Sequence, residues 1–161
     1  MKKLFLDLEK CYKCKECTAK CSYYYHPGNK GCLRCLALAV QEHVCRRCEE
    51  PPCVNACPQK ALEKRPDGML NRYSMRCTSC RNCTIACPFG VIHPLIVEYK
   101  TTMCDYSKGR TSDEKPPVCV GTCPHGAVQF IEVEENPEKD IYAVRGGKFF
   151  VHVVKWQKEK K

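Results

Sequence analysis

The chemistry of this chain rests on its cysteines. Three groups repeat one close spacing: Cys11-x2-Cys14-x2-Cys17-x3-Cys21, Cys45-x2-Cys48-x4-Cys53-x3-Cys57 and Cys77-x2-Cys80-x2-Cys83-x3-Cys87. A fourth is sparser, with Cys104 followed by Cys119-x3-Cys123. Proline follows Cys57, Cys87 and Cys123. Three cysteines at this spacing fold as a tight loop that aims three thiolates at three irons of one cubane. The fourth, beyond the loop, points to a neighbouring cube. The groups must therefore work in pairs. Cys77, Cys80 and Cys83 are expected to take Cys57, and Cys45, Cys48 and Cys53 to take Cys87. Cys11, Cys14 and Cys17 then take Cys123, giving three [4Fe-4S] clusters. The longer gap before Cys53 is a one-residue expansion of the same loop. Zinc and disulfides do not suit the array, because zinc prefers isolated CxxC pairs to triple runs closed by Cys-Pro.

Seventeen cysteines in 161 residues leave two classes, a disulfide scaffold or a thiolate metal protein. An exported scaffold needs a signal peptide. The opening MKKLFLDLEKC has only a short apolar run, broken by Asp7 and Glu9, and no stretch approaches transmembrane length. A cytoplasmic metal protein without membrane insertion is expected. The formal charge of +9 counts cysteine as neutral. An oxidised cubane with four thiolates carries about −2, so three or four clusters cancel most of it. The basic residues read as compensation for cluster charge, and nucleic acid is not expected as a partner.

The elements that must position these thiols are short. LFLDL precedes the first group, MLNRYSM the third, and AVQFIEV follows the fourth, each with strand-like composition. Asp67-Gly68 signals a tight turn between the second and third groups. CLRCLALAVQEHV is apolar at helical period, which places Cys32 and Cys35 on one face near a helix start. IYAVRGGKFFVHVVKW reads as a hairpin turning at Gly146-Gly147, and Phe149, Phe150 and Trp156 suggest an apolar docking edge for a larger subunit. The expected class is α+β: two nested bacterial di-cluster ferredoxin-like modules plus a C-terminal β-hairpin. Residues 1–30 with 100–135 form the outer module, 31–43 a connecting helix, 44–99 the inner module and 136–161 the hairpin and tail. So small a protein cannot bury a large apolar core, and metal must supply much of its folding energy.

The cysteine array of residues 4–135 resembles the four-cluster ferredoxin-type electron-transfer subunits of molybdenum or tungsten oxidoreductases, formate dehydrogenases and some hydrogenases. The CSYYYHPGNKG loop also resembles the small iron–sulfur partners of tungsten-pterin enzymes of the aldehyde oxidoreductase type, the class II benzoyl-CoA reductase group included. The first resemblance implies that the fourth group should open Cys-x2-Cys. Here MCDYSKGR puts Ser107 where the second cysteine belongs.

Three clusters use twelve cysteines and leave Cys21, Cys32, Cys35, Cys104 and Cys119. Four of these five can close a fourth site, either a further iron–sulfur cluster or a structural zinc, with Cys32 and Cys35 recruited for the lost ligand. Three readings compete: Ser107 ligates as an alkoxide, a [3Fe-4S] centre uses three cysteines, or the site is empty and Cys32 and Cys35 are ordinary buried thiols.

No catalytic constellation, phosphate loop or nicotinamide fingerprint accompanies the cysteines. His26, His43, His93, His125 and His152 stand in no ligand spacing and read as surface or packing residues. Tyr23, Tyr24 and Tyr25 read equally as a partner contact or as a shield over a cluster. The expected role is non-catalytic: single electrons relayed between a larger catalytic oxidoreductase subunit and a ferredoxin or other redox protein. A free-standing polyferredoxin carrier, or a partner of a hydrogenase or CO dehydrogenase, is the alternative.

Overall fold

The structure is a computed structural model that describes residues 1–21, 31–97, 104, 106–107 and 109–154. The loop at Tyr23–His26 and the tail at Trp156 lie outside the described residues.

A four-stranded sheet carries the larger core. Its strands are β1 (Lys3–Asp7), β4 (Val128–Ile131), β5 (Ile141–Val144) and β6 (Phe149–His152), in the order β4-β1-β6-β5. β1 pairs antiparallel with β4 and parallel with β6, while β5 and β6 pair antiparallel. The register sets Leu6 beside both Val128 and Val151, and Val151 beside Tyr142. One face of the sheet therefore reads Leu4, Leu6, Val128, Tyr142, Val144, Phe149 and Val151, all buried. Helix α2 (Gly31–His43) contributes Cys32, Cys35, Ala37, Leu38 and Ala39 to the same core.

The C-terminal strands differ from the expected docking edge. β6 lies inside the sheet between β1 and β5, with Phe149 and Val151 fully buried and Phe150 at 5% exposure. The physical reason is in the strand itself: Phe149, Phe150 and Val151 are apolar on both faces, which suits an interior strand rather than an edge.

A second, smaller core gathers Cys53, Leu62, Cys83, Val91, Ile92 and Val97. It lies among α3 (Pro52–Asn55), the two-stranded sheet of β2 (Leu62–Lys64) and β3 (Leu70–Arg72), α4 (Asn82–Ala86) and α5 (Pro94–Val97). β2 and β3 turn through Asp67-Gly68, where Gly68 takes φ +80 and a Cβ would meet Arg47 Cδ at 3.1 Å. α5 is the seam between the cores: Ile96 belongs to the larger and Val97 to the smaller. The remaining helices, α1 (Leu8–Cys11) and α6 (Val118–Gly121), each carry a cysteine of the array. Among the described residues no helix is long and apolar enough to cross a membrane.

Candidate metal centres

The cysteines of the second and third groups cross over. Cys53 sits on α3 and Cys83 on α4, and these helices pack against each other. One cavity is lined by Cys45, Cys48, Cys53 and Cys87. Another is lined by Cys57, Cys77, Cys80 and Cys83. Each takes its fourth sulfur from the other group. A third cavity is lined by Cys11, Cys14, Cys17 and Cys123, with Cys32 at its wall.

Electrostatics follow from this crowding. Burial, then the neighbouring Cys123, Cys17 and Cys14, pushes the Cys11 thiol up to about 12. Burial, then Cys87 and Cys45, pushes Cys53 up to about 11, against amide N–H bonds from Val54 and Cys53. Cys83 is raised by burial and by Cys77, Cys57 and Cys80. None of the seventeen cysteines is in a disulfide. Four converging sulfurs that repel one another as anions fit a site closed by a cationic metal core.

The backbone supplies the counterpart. Arg47, Ser79 and Arg81, all within the cysteine loops, take left-handed φ of 51°, 58° and 65°. Non-glycine residues rarely do so, and such turns direct successive N–H groups into a concavity that suits anionic sulfur. The amide of Ala61 donates to Cys57 Sγ at 3.2 Å, and that of Tyr106 to Cys104 Sγ at 3.2 Å. No residue-type signal marks Arg47, Ser79 or Arg81 in the sequence; only the cysteine spacing around them does.

Asp7 fixes the entry to the first loop. Its carboxylate accepts from the amides of Glu9 and Lys10 at 3.1 and 3.2 Å, capping the helix that carries Cys11. Burial by itself raises the Asp7 pKa, but the Lys10 amide, the Lys10 ammonium and His152 outweigh it and hold the carboxyl below its usual value. Asp7, Glu9 and His152 bring three potential ligand atoms together, but the cap and the Lys10 ion pair at 3.3 Å already engage Asp7. His43 contacts the carbonyl of Ala143 and stacks on Tyr142, and His93 Nδ1 accepts from the Leu95 amide, so both serve packing and local structure.

Of the five remaining cysteines, four form two neighbouring pairs. Cys32 hydrogen-bonds to Cys119 and Cys35 to Cys104. These bonds, with burial next, raise both helix thiols well above the ordinary range. Cys119 is instead lowered, first by the bond from Cys32 and then, against burial, by the amides of Cys119 and Val120. Ser107 is buried in the same stretch as Cys104, with a left-handed φ of 53°. Cys21 is half-buried.

Triple-cysteine loops completed by a sulfur from a distant segment define an iron–sulfur protein of ferredoxin type. The protein belongs to the 4Fe-4S dicluster domain family, whose model matches residues 36–133. A 4Fe-4S binding domain model also matches residues 8–24. Among similar proteins of Escherichia coli, the probable anaerobic dimethyl sulfoxide reductase chain YnfG is 30% identical over 84% of this sequence and 75% of its own length. A subunit of the anaerobic dimethyl sulfoxide reductase of the same organism is 30% identical over 87% of this sequence and 78% of its own. Electron transport protein HydN is 29% identical over 87% and 92%.

Proposed function

We propose that this protein is a non-catalytic electron relay. It holds three [4Fe-4S] clusters at Cys11, Cys14, Cys17 and Cys123, at Cys45, Cys48, Cys53 and Cys87, and at Cys57, Cys77, Cys80 and Cys83. The observation that carries this reading is the exchange of Cys57 and Cys87 between the second and third groups. A cubane in each site supplies reversible one-electron storage with no coordination position open to substrate. The protein's part is to hold four thiolates, aim amide dipoles at sulfur and keep water away.

The electrons pass between a larger catalytic oxidoreductase subunit, of the tungsten- or molybdenum-pterin kind, and a ferredoxin or other redox protein. Relatives named as dimethyl sulfoxide reductase chains support a catalytic partner. Large apolar side chains stand in water beside the first and third cysteine groups: Tyr12 at 91% exposure, Met75 at 85% and Ile85 at 83%. Such groups suit docking of two redox partners.

A second reading, a free-standing carrier, has its own support. The apolar C-terminal strands are used within the protein's own sheet, and HydN, named an electron transport protein, is matched over nearly its whole length. Native mass of the protein isolated anaerobically from its source decides between them. Association with a larger subunit is the expected result, and a monodisperse lone chain favours the carrier. A colourless product without acid-labile sulfide overturns both.

A further inference from the structure

The four sulfurs of Cys32, Cys35, Cys104 and Cys119 come from two sides of one buried contact. Cys32 and Cys35 lie in the first two turns of α2 at 9% and 1% exposure. Cys119 lies on α6 and Cys104 on the stretch before it, both packed against the same core. The contacts are sulfur to sulfur: Cys32 with Cys119 and Cys35 with Cys104, and Cys35 also lies within electrostatic reach of Cys32 and Cys119. A cysteine that merely fills a core packs against hydrocarbon. These thiols, although packed in the larger core, also face one another in two pairs.

The surroundings match those of a ligand set. Cys104 Sγ accepts from the Tyr106 amide at 3.2 Å, and Cys119 from the amides of Cys119 and Val120. Amide donors to sulfur are the partners that surround metal-bound cysteine. None of the four is in a disulfide. Ser107, buried on the same stretch as Cys104, leaves that segment one thiol short, and α2 brings two from the opposite side.

We propose that Cys32, Cys35, Cys104 and Cys119 form a fourth metal site, an all-thiolate shell for zinc or iron. Helix α2 thereby becomes a ligand-bearing element as well as a connector. The inference rests on the reading of this protein as a thiolate cluster protein, and adds to it a site adjoining the one at Cys11, Cys14, Cys17 and Cys123, whose wall includes Cys32.

The test is iron, zinc and acid-labile sulfide per polypeptide in anaerobically isolated full-length protein, for the wild type, Cys32→Ala, Cys35→Ala and the double variant. The wild type should hold about 16 iron atoms if the fourth centre is a cubane, or about 12 with one zinc or one additional iron if it is a single ion. Each alanine variant should lose that share alone and keep about 12 iron and an equal amount of sulfide. A wild type with about 12 iron and no zinc overturns the proposal, as does a variant whose metal content equals the wild type's. Should the double variant fail to fold, the single variants and the wild-type count decide. Absence of iron altogether overturns the cluster reading instead, so the two failures are distinct.

Discussion

The buried guanidinium of Arg34 donates to the main-chain oxygen of Leu95 at 2.5 Å and to that of Ile96 at 3.3 Å. It joins α2, part of the larger core, to α5, where that core meets the smaller one. At 4% exposure this charge is met by fixed carbonyl dipoles. Arg34→Met should therefore cost about 2–3 kcal/mol, the usual loss for hydrogen bonds to a buried charged group. Thermal bleaching of the visible cluster absorption should move down by about 5–10 °C. An unchanged midpoint would show that the two halves hold together without this clasp.

The crossing of ligands predicts which variants resemble each other. Cys57→Ala should produce the same spectral loss as Cys77→Ala, and Cys87→Ala the same as Cys45→Ala, although each partner lies in a different group. Each variant should lose about four irons. Electron paramagnetic resonance of the reduced variants checks this; matching losses within a group, such as Cys57 with Cys53, would refute the exchange.

Metal loading should rise with pH. Cys11 and Cys53 are pushed up to about 12 and 11, so both are protonated at neutral pH, and ligation must displace the protons. The thiolate fraction grows about tenfold per pH unit below these values. Anaerobic reconstitution followed at visible wavelengths should be faster at pH 8.5 than at pH 6.5, with protons released. The linkage also has a sign for the metal-free fold. Its thiols hold protons more tightly than those of an unfolded polypeptide, so its stability falls as pH rises past the usual thiol value of 9.0. A loading rate independent of pH would mean the thiols are already ionised.

Asp7→Ala removes the cap on the helix that carries Cys11 and should destabilise it by about 1 kcal/mol. The folded pKa of Asp7 is lowered, so its contribution is fully present above the usual carboxyl value of 3.8 and is lost as pH falls through the folded value. The gap between wild type and variant should thus stay constant from pH 6 to pH 8. Cluster release under mild denaturant measures it, and a gap that changes with pH across that range would refute the carboxylate cap as its source.

Much of the site was legible before any fold was known. The strands around β1 and β4, the turn at Gly68 and helix α2 follow from alternation, a turn dipeptide and helical periodicity, which are local properties of the sequence. The left-handed residues Arg47, Ser79 and Arg81 were not legible, because nothing in their side chains favours that conformation; the cysteine loops around them impose it. The destination of Phe149 and Val151 was hidden for another reason. An apolar strand carries no mark of whether its neighbour is another molecule or β1 of the same protein.

Cysteine spacing by itself pointed to iron–sulfur chemistry and to the three sets of four thiols that line the three cavities, because the corners of a cubane allow few ways for short loops to reach them. Only the tertiary structure decided that Cys32 and Cys35 meet Cys119 and Cys104. That meeting depends on how α2 lies against the sheet and α6, a matter of long-range packing that no local spacing encodes.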